Sequence, residues 1–201
     1  AGATGTSDLF TIGNPVTNVL VGSLVFASGF ANGGNNGLHS VTAVTGQTIE
    51  VLGSTLVTEV APNGAKLTNV GFQSVAGDLD VDASGVLPKI TSTALNFTQL
   101  GLVPGEWIYI GDDVAGNSFS TAANNGWARV YTVAANELVL DQTSAVMVTE
   151  ANTTQTVRIY FGRVVKNEAD PALQRRRTYQ FERVLGASDD ANLSQIQSEY
   201  L

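Results

Sequence analysis

Apolar and polar positions alternate along most of this chain with a period of two, as in "LHSVTAV", "KLTNVGF", "WARVYTV" and "TVRIYFG". That period places successive side chains on opposite sides of a strand, so each segment suits a strand with one buried face. Gly, Asn, Ser and Asp interrupt the alternation every few residues, and these are the residues tight turns use. The pattern predicts an all-β protein.

The pattern also occurs twice. The stretch "ANGGNNGLHSVTAV", Ala31 to Val44, returns as "STAANNGWARVYTV", Ser120 to Val133. Aligning Phe30 with Phe119 sets Asn35, Asn36 and Gly37 on Asn124, Asn125 and Gly126, then Val41 on Val130, Val44 on Val133, and Ile49–Val51 on Leu138–Leu140. Upstream, Gly22–Phe26 meets Gly105–Tyr109, so the second copy holds about six additional residues around "DDVAGN", which read as a longer hairpin tip. Downstream, Lys66–Phe72 answers Thr156–Gly162, which sets Val70 on Tyr160 and Gly71 on Phe161. Each copy reads as a few short strands that close most naturally into a small β-barrel or β-sandwich. The Asn-Gly turn is expected to serve geometry, because both residues tolerate positive φ and the turn can then join two strands at the right twist.

These units divide the chain into a first β-module over 1–84, a second, repeat-related β-module over 85–166, and a tail over 167–201. The connector "SVAGDLDVDASGVLPKITSTALNFTQLGL" is expected to hold one or two strands. In the tail, charge density rises and the hydrophobic rhythm weakens, so it is not a third repeat.

Composition narrows the function classes. Hydrophobic residues make up 43 % and charged residues 14 %, the balance of a folded protein. The net charge of −8 argues against a sequence-independent grip on DNA or an anionic membrane, which needs clustered Lys and Arg. No segment approaches the roughly 18 apolar residues of a membrane helix. The start, "AGATGTSDLF", reads as a processing boundary. There is no cysteine, hence no disulfide, thiolate metal site or thiol nucleophile.

Candidate chemistry is sparse. His39 is the sole histidine and its counterpart is Ala128, so it reads as a surface strand residue rather than a ligand or base. No nucleophile elbow or phosphate-cradling loop is present. Asp78, Asp80 and Asp82 alternate along "GDLDVDASG", but Ala83 and Lys89 stand where a calcium loop needs Gly and Glu, so a solvated strand face is the expected reading and no metal site is assigned. Trp107, Tyr109, Trp127, Tyr131, Tyr160 and Phe161 cluster in the second copy. Aromatics on a β-surface can stack sugars, yet most counterparts in the first copy are apolar, which favours packing in the core. Arg175, Arg176, Arg177 and Arg183 in "QRRRTYQFER" form the one basic cluster, expected to make subunit salt bridges.

The repeated "F-x-x-x-x-N-N-G-x-x-x-V" units, the linking "VGFQSVAGDLD" to "TSTALNFTQLGLVPGEWIYIGD", and "RRRTYQFERVLG" together resemble a tail tube protein of long-tailed bacteriophages or prophages. The resemblance implies a virion structural protein without cofactor or catalytic residues. Its subunits would bind other copies of themselves in rings that stack into a tube, contact other phage tail proteins, and let DNA pass without specific binding. It implies assembly in the bacterial host cytoplasm, residence in the phage tail, and no membrane partner. The chain begins inside a β-module and stops shortly after "RRRTYQFERVLG", so a fragment is expected, with both modules carried on the tube and the Arg-rich segment returning into its wall. The alternative is a β-rich binding module for bacterial-surface glycans.

Overall fold

The computed structural model describes residues 2–4, 7–13, 18–53, 56–60, 62 and 64–161. The Arg175, Arg176, Arg177 and Arg183 cluster and the 167–201 tail lie outside the described residues. Within them the protein is all-β, with twelve strands in one antiparallel sheet. The strands are β1 (Gly2–Thr4), β2 (Ser7–Thr11), β3 (Ser23–Ser28), β4 (Gly37–Thr45), β5 (Thr48–Val51), β6 (Lys66–Gln73), β7 (Asp80–Asp82), β8 (Lys89–Thr91), β9 (Trp107–Ile110), β10 (Gly126–Val133), β11 (Glu137–Thr143) and β12 (Arg158–Phe161). The only helical pieces described are single 3₁₀ turns at Gly33–Asn35, Phe97–Leu100 and Ala122–Asn124.

The order across the sheet is β1-β2-β5-β4-β3-β6-β12-β9-β10-β11-β8-β7. Numbering the second six strands from one turns this into a palindrome, so both halves have the same internal order and meet at β6 and β12. Pairings match residue for residue. Ala27 lies opposite Gly37 as Ile110 lies opposite Gly126, and Val41 pairs Val51 as Val130 pairs Leu140. Even the bulge recurs, between Val41 and Ala43 and between Val130 and Thr132. Each half thus has six strands, because β1-β2 and β7-β8 form hairpins ahead of the repeated segment. The Asp80–Asp82 strand precedes residue 85 in sequence, yet it pairs with β8 and bridges from Val81 to Glu150, within the second half of the sheet.

The halves do not close separately. The closing strand of each, instead of returning to its own edge, pairs with the other: Phe72 lies opposite Ile159 and Gly71 opposite Tyr160. Gly71 permits the approach, since a Cβ there would strike the Ile159 carbonyl oxygen and lie 3.0 Å from Tyr160 Cα. Against β9, Tyr160 faces Tyr109 as Thr68 faces Phe26 in the first half, so Tyr160 corresponds to Thr68 and Phe161 to Asn69. The expected match of Tyr160 to Val70 and Phe161 to Gly71 is therefore two residues out of register. An even slip keeps every side chain on its face, so alternation alone does not distinguish the two alignments.

Two cores result. The first gathers Phe10, Val25, Val41, Ile49 and Val51, and the second gathers Ile90, Ile108, Ile110, Val130, Leu138 and Ile159. Loop residues Leu56 and Met147 plug the two cores from equivalent places. Strand β6 serves both: Leu67 packs on the first core, whereas Phe72 enters the second beside Phe97 and Phe161, at ring distances of 6.0 and 6.3 Å. A register shift between Leu24 and Val25, opposite Gly71 and Asn69, lies between these two contacts.

Candidate functional site

The repeated turns are held by side chains. Gly37 and Gly126 take positive φ, 121° and 113°, but Asn36 and Asn125 are extended at φ −94° and −108°. Both residues of the Asn-Gly pair tolerate positive φ, but only the glycines use that tolerance. The asparagine amides instead fasten backbone. Asn36 Oδ1 accepts the Phe30 N–H at 3.0 Å while its Nδ2 donates to the carbonyls of Phe30 and Asn32, at 2.9 and 3.3 Å. Asn125 treats Phe119 and Thr121 alike, at 2.9, 2.9 and 3.1 Å.

The preceding asparagine reaches a different loop. Asn35 is fully buried; its Oδ1 accepts from Val57 N–H at 2.7 Å, and its Nδ2 donates to the Val57 carbonyl and to Glu59 Oε2, at 2.9 and 2.8 Å. Asn124 does the same with Val148 and Glu150, at 2.8, 2.9 and 2.7 Å. Each glutamate then accepts two backbone N–H groups at the start of the turn: Ala31 and Asn32 for Glu59, Ser120 and Thr121 for Glu150. Partial burial works to raise the Glu150 carboxyl, but the bonds from Thr121, Asn124 and Ser120 outweigh it and hold the group below its ordinary value. Glu59 is lowered by its counterpart bonds in the same way. Sequence reading found the asparagines and missed both glutamates, although "VTE" occurs at 57–59 and again at 148–150.

A second cluster joins the halves. Asp112 opens the "DDVAGN" insertion and accepts from Arg158 Nη1 at 2.8 Å and from the Tyr160 hydroxyl at 2.6 Å, while Arg158 Nε donates to Gln73 Oε1 of β6 at 2.8 Å. The insertion is more than a long tip, because it also lays the carbonyls of Gly116 and Asn117 on the N–H groups of Thr156 and Arg158. Burial alone would raise the Asp112 carboxyl; the Tyr160 and Arg158 bonds prevail and lower it. Burial, then the Asp112 carboxylate, pushes the Tyr160 hydroxyl up to about 12.

The other candidates are scattered. Asp78 is buried rather than solvated, and accepts from Ser92, Thr93 and the Ala94 N–H. Asp80 accepts from Asn152 N–H and Asp82 from Ser84, so the three carboxylates do not converge. His39 stands edge-on to Phe10 at 5.3 Å, and burial lowers its pKa. Of the aromatics, Phe161 alone enters the core cluster. Trp127 is buried outside that cluster and meets Tyr109 edge-on at 5.2 Å, whereas Tyr131 is 53 % exposed. Trp107, Tyr109 and Tyr160 alternate with core residues Ile108, Ile110, Ile159 and Phe161, so they lie half-buried on the opposite face. The expected use of this aromatic set as core filling is thus corrected for all but Phe161 and, in part, Trp127.

Chemically, these groups clamp backbone. No group of three or more His, Cys, Asp or Glu is placed to hold a metal ion among the described residues. No family model matches the chain, and none of the curated proteins or solved structures compared with it is a match.

Proposed function

We propose that the protein is a structural subunit of a bacteriophage tail tube, assembling with other copies of itself around a channel through which DNA passes. The observation that supports this most is the use of its charged groups. Of the four Lys and Arg among the described residues, Lys89, Arg129 and Arg158 are paired with Glu137, Asp141 and Asp112. Among the described residues this leaves Lys66 as the one Lys or Arg outside these ion pairs, and a net charge of −8 over the whole chain repels phosphates, as a channel that lets DNA slide requires. The reading assigns no catalytic role; the asparagine, glutamate and aspartate side chains make rigid backbone joints, as a load-carrying subunit needs. Arg175, Arg176, Arg177 and Arg183 would make contacts between subunits.

Electron microscopy of the full-length protein tests this. Rings or tubes that are lost on charge reversal at Arg175–Arg177 are expected, and a monomer at high concentration would overturn the reading. A second reading, a glycan-binding module, is favoured by Trp107 and Tyr109 on the face opposite the core and by exposed Tyr131. Tryptophan fluorescence titrated with bacterial-surface glycans separates the two.

A further inference from the structure

Three Asn-Gly pairs are wholly described, at Asn32-Gly33, Asn36-Gly37 and Asn125-Gly126, and they differ in how the amide is held. Asn-Gly is the dipeptide most open to self-cyclisation, because glycine has no Cβ to hinder its own nitrogen. The Gly nitrogen attacks Asn Cγ, the new N–Cγ bond replaces Cγ–Nδ2, and ammonia leaves carrying the Gly amide proton. Water then opens the succinimide ring at either carbonyl, giving aspartate or isoaspartate. No cofactor is required.

We propose that Asn36 and Asn125 are latent self-modification sites, locked while the protein is folded and released when it unfolds, after which the product prevents refolding. The lock is the three bonds on each amide: Oδ1 takes an N–H, and Nδ2 gives to two carbonyls. Swinging Cγ onto the next nitrogen breaks all three. Gly37 and Gly126 are themselves fixed in β4 and β10, opposite Ala27 and Ile110. Asn32 is the internal control. Its side chain has one bond among the described residues, from Gly34 N–H to Oδ1 at 3.0 Å, and its Nδ2 is held by none.

The product fails because it inverts the polarity of the joint. At position 36 an aspartate sets an acceptor where a donor faced the carbonyls of Phe30 and Asn32. The Phe30 carbonyl loses its side-chain donor, the Asn32 carbonyl is left with the Asn35 N–H alone, and a like charge faces both. Isoaspartate also adds a methylene to the backbone where β4 begins, which shifts its register.

The test is peptide mapping of the full chain by mass spectrometry after incubation at mildly alkaline pH, native and in guanidinium. In the native protein, conversion at Asn36 and Asn125 is expected to be at least about tenfold slower than in the unfolded chain, being confined to locally opened molecules. Asn32 is expected to convert in both states at rates within a few-fold. Equal native and unfolded rates at Asn36 and Asn125 would overturn the lock. The fraction that refolds should fall in step with conversion at these two sites, and converted molecules that regain the parent melting transition would overturn the irreversibility. As a direct mimic of the product, Asn36→Asp should fold poorly or melt well below the parent. An unchanged melting temperature for it would overturn the proposal, and parallel Asn32→Asp should leave melting near the parent value.

Discussion

Asn35 and Asn124 occupy one post in the two halves of the sheet, each buried and each binding both backbone groups of a valine, Val57 and Val148, from a loop more than twenty residues away. A carboxamide sets an N–H donor and a C=O acceptor side by side in one plane, which is what a single extended residue presents. The carboxamide therefore stands in for a missing strand. The loops it holds carry Leu56 and Met147, the plugs of the two cores.

Asn35→Ala or Asn124→Ala should accordingly cost about 2–4 kcal/mol, because each leaves a part-buried N–H, a carbonyl and a glutamate short of a partner. For a chain of this size that is a fall of very roughly 5–15 °C in Tm, measurable by calorimetry. Equal costs at the two posts are expected, and an unaffected Tm at either would show that the loop is held by other means.

Gly71→Ala tests the seam. The added methyl meets backbone of β12, not a side chain that can turn aside, so the strands must part. The expected cost is about 1–3 kcal/mol or more, with guanidinium unfolding changing from one transition to two as the halves separate. A single transition at the parent midpoint would contradict the role given to this contact.

Titration should act at both ends of the pH scale. Asp78, Asp112, Glu59 and Glu150 are all lowered in the fold, so their contribution is complete above their ordinary values and is lost as pH falls through and below about 4. Tyr160 is raised, so its contribution is complete below pH 10.0 and is lost as pH climbs toward about 12. After allowance for solvent screening this alkaline loss is about 1–2 kcal/mol. Chemical denaturation across pH should show both limbs, with Tyr160→Phe flattening the alkaline one.

The two tryptophans should behave differently. Trp127→Ala removes a buried ring that Tyr109 touches, at a cost of about 3–5 kcal/mol. Trp107 is half-buried on the face away from the core, and Trp107→Ala should cost about 1–2 kcal/mol. Thermal melts of the pair check the order, and a larger loss at Trp107 would contradict its placement.

What could be read in advance was whatever has a local cause. The strand class, the match of Val41 to Val130 and of Ile49 to Leu138, and the special status of the Asn-Asn-Gly turn all follow from alternation and turn chemistry. The role of Asn36 was misassigned because a turn asparagine is ordinarily credited with its backbone, whereas here the side chain bridges to Phe30. Glu59 and Glu150 escaped notice since their partners lie 24 to 30 residues away, a spacing no periodicity marks. The pairing of β6 with β12 depends on Gly71, and a lone glycine in a strand reads equally as a bulge or a close approach.

The palindromic order has a consequence for how such a molecule diverges. Two separate copies of one half meeting edge to edge would be bound to change together, since every substitution would appear on both sides of the joint. Linked in one chain, the partners are held at high effective concentration whatever the strength of the joint, and each side is free to specialise. That freedom is visible at the seam. Asp112, Arg158 and Tyr160 come from the second half and Gln73 and Gly71 from the first, so the junction is a lock with a distinct key rather than a mirror.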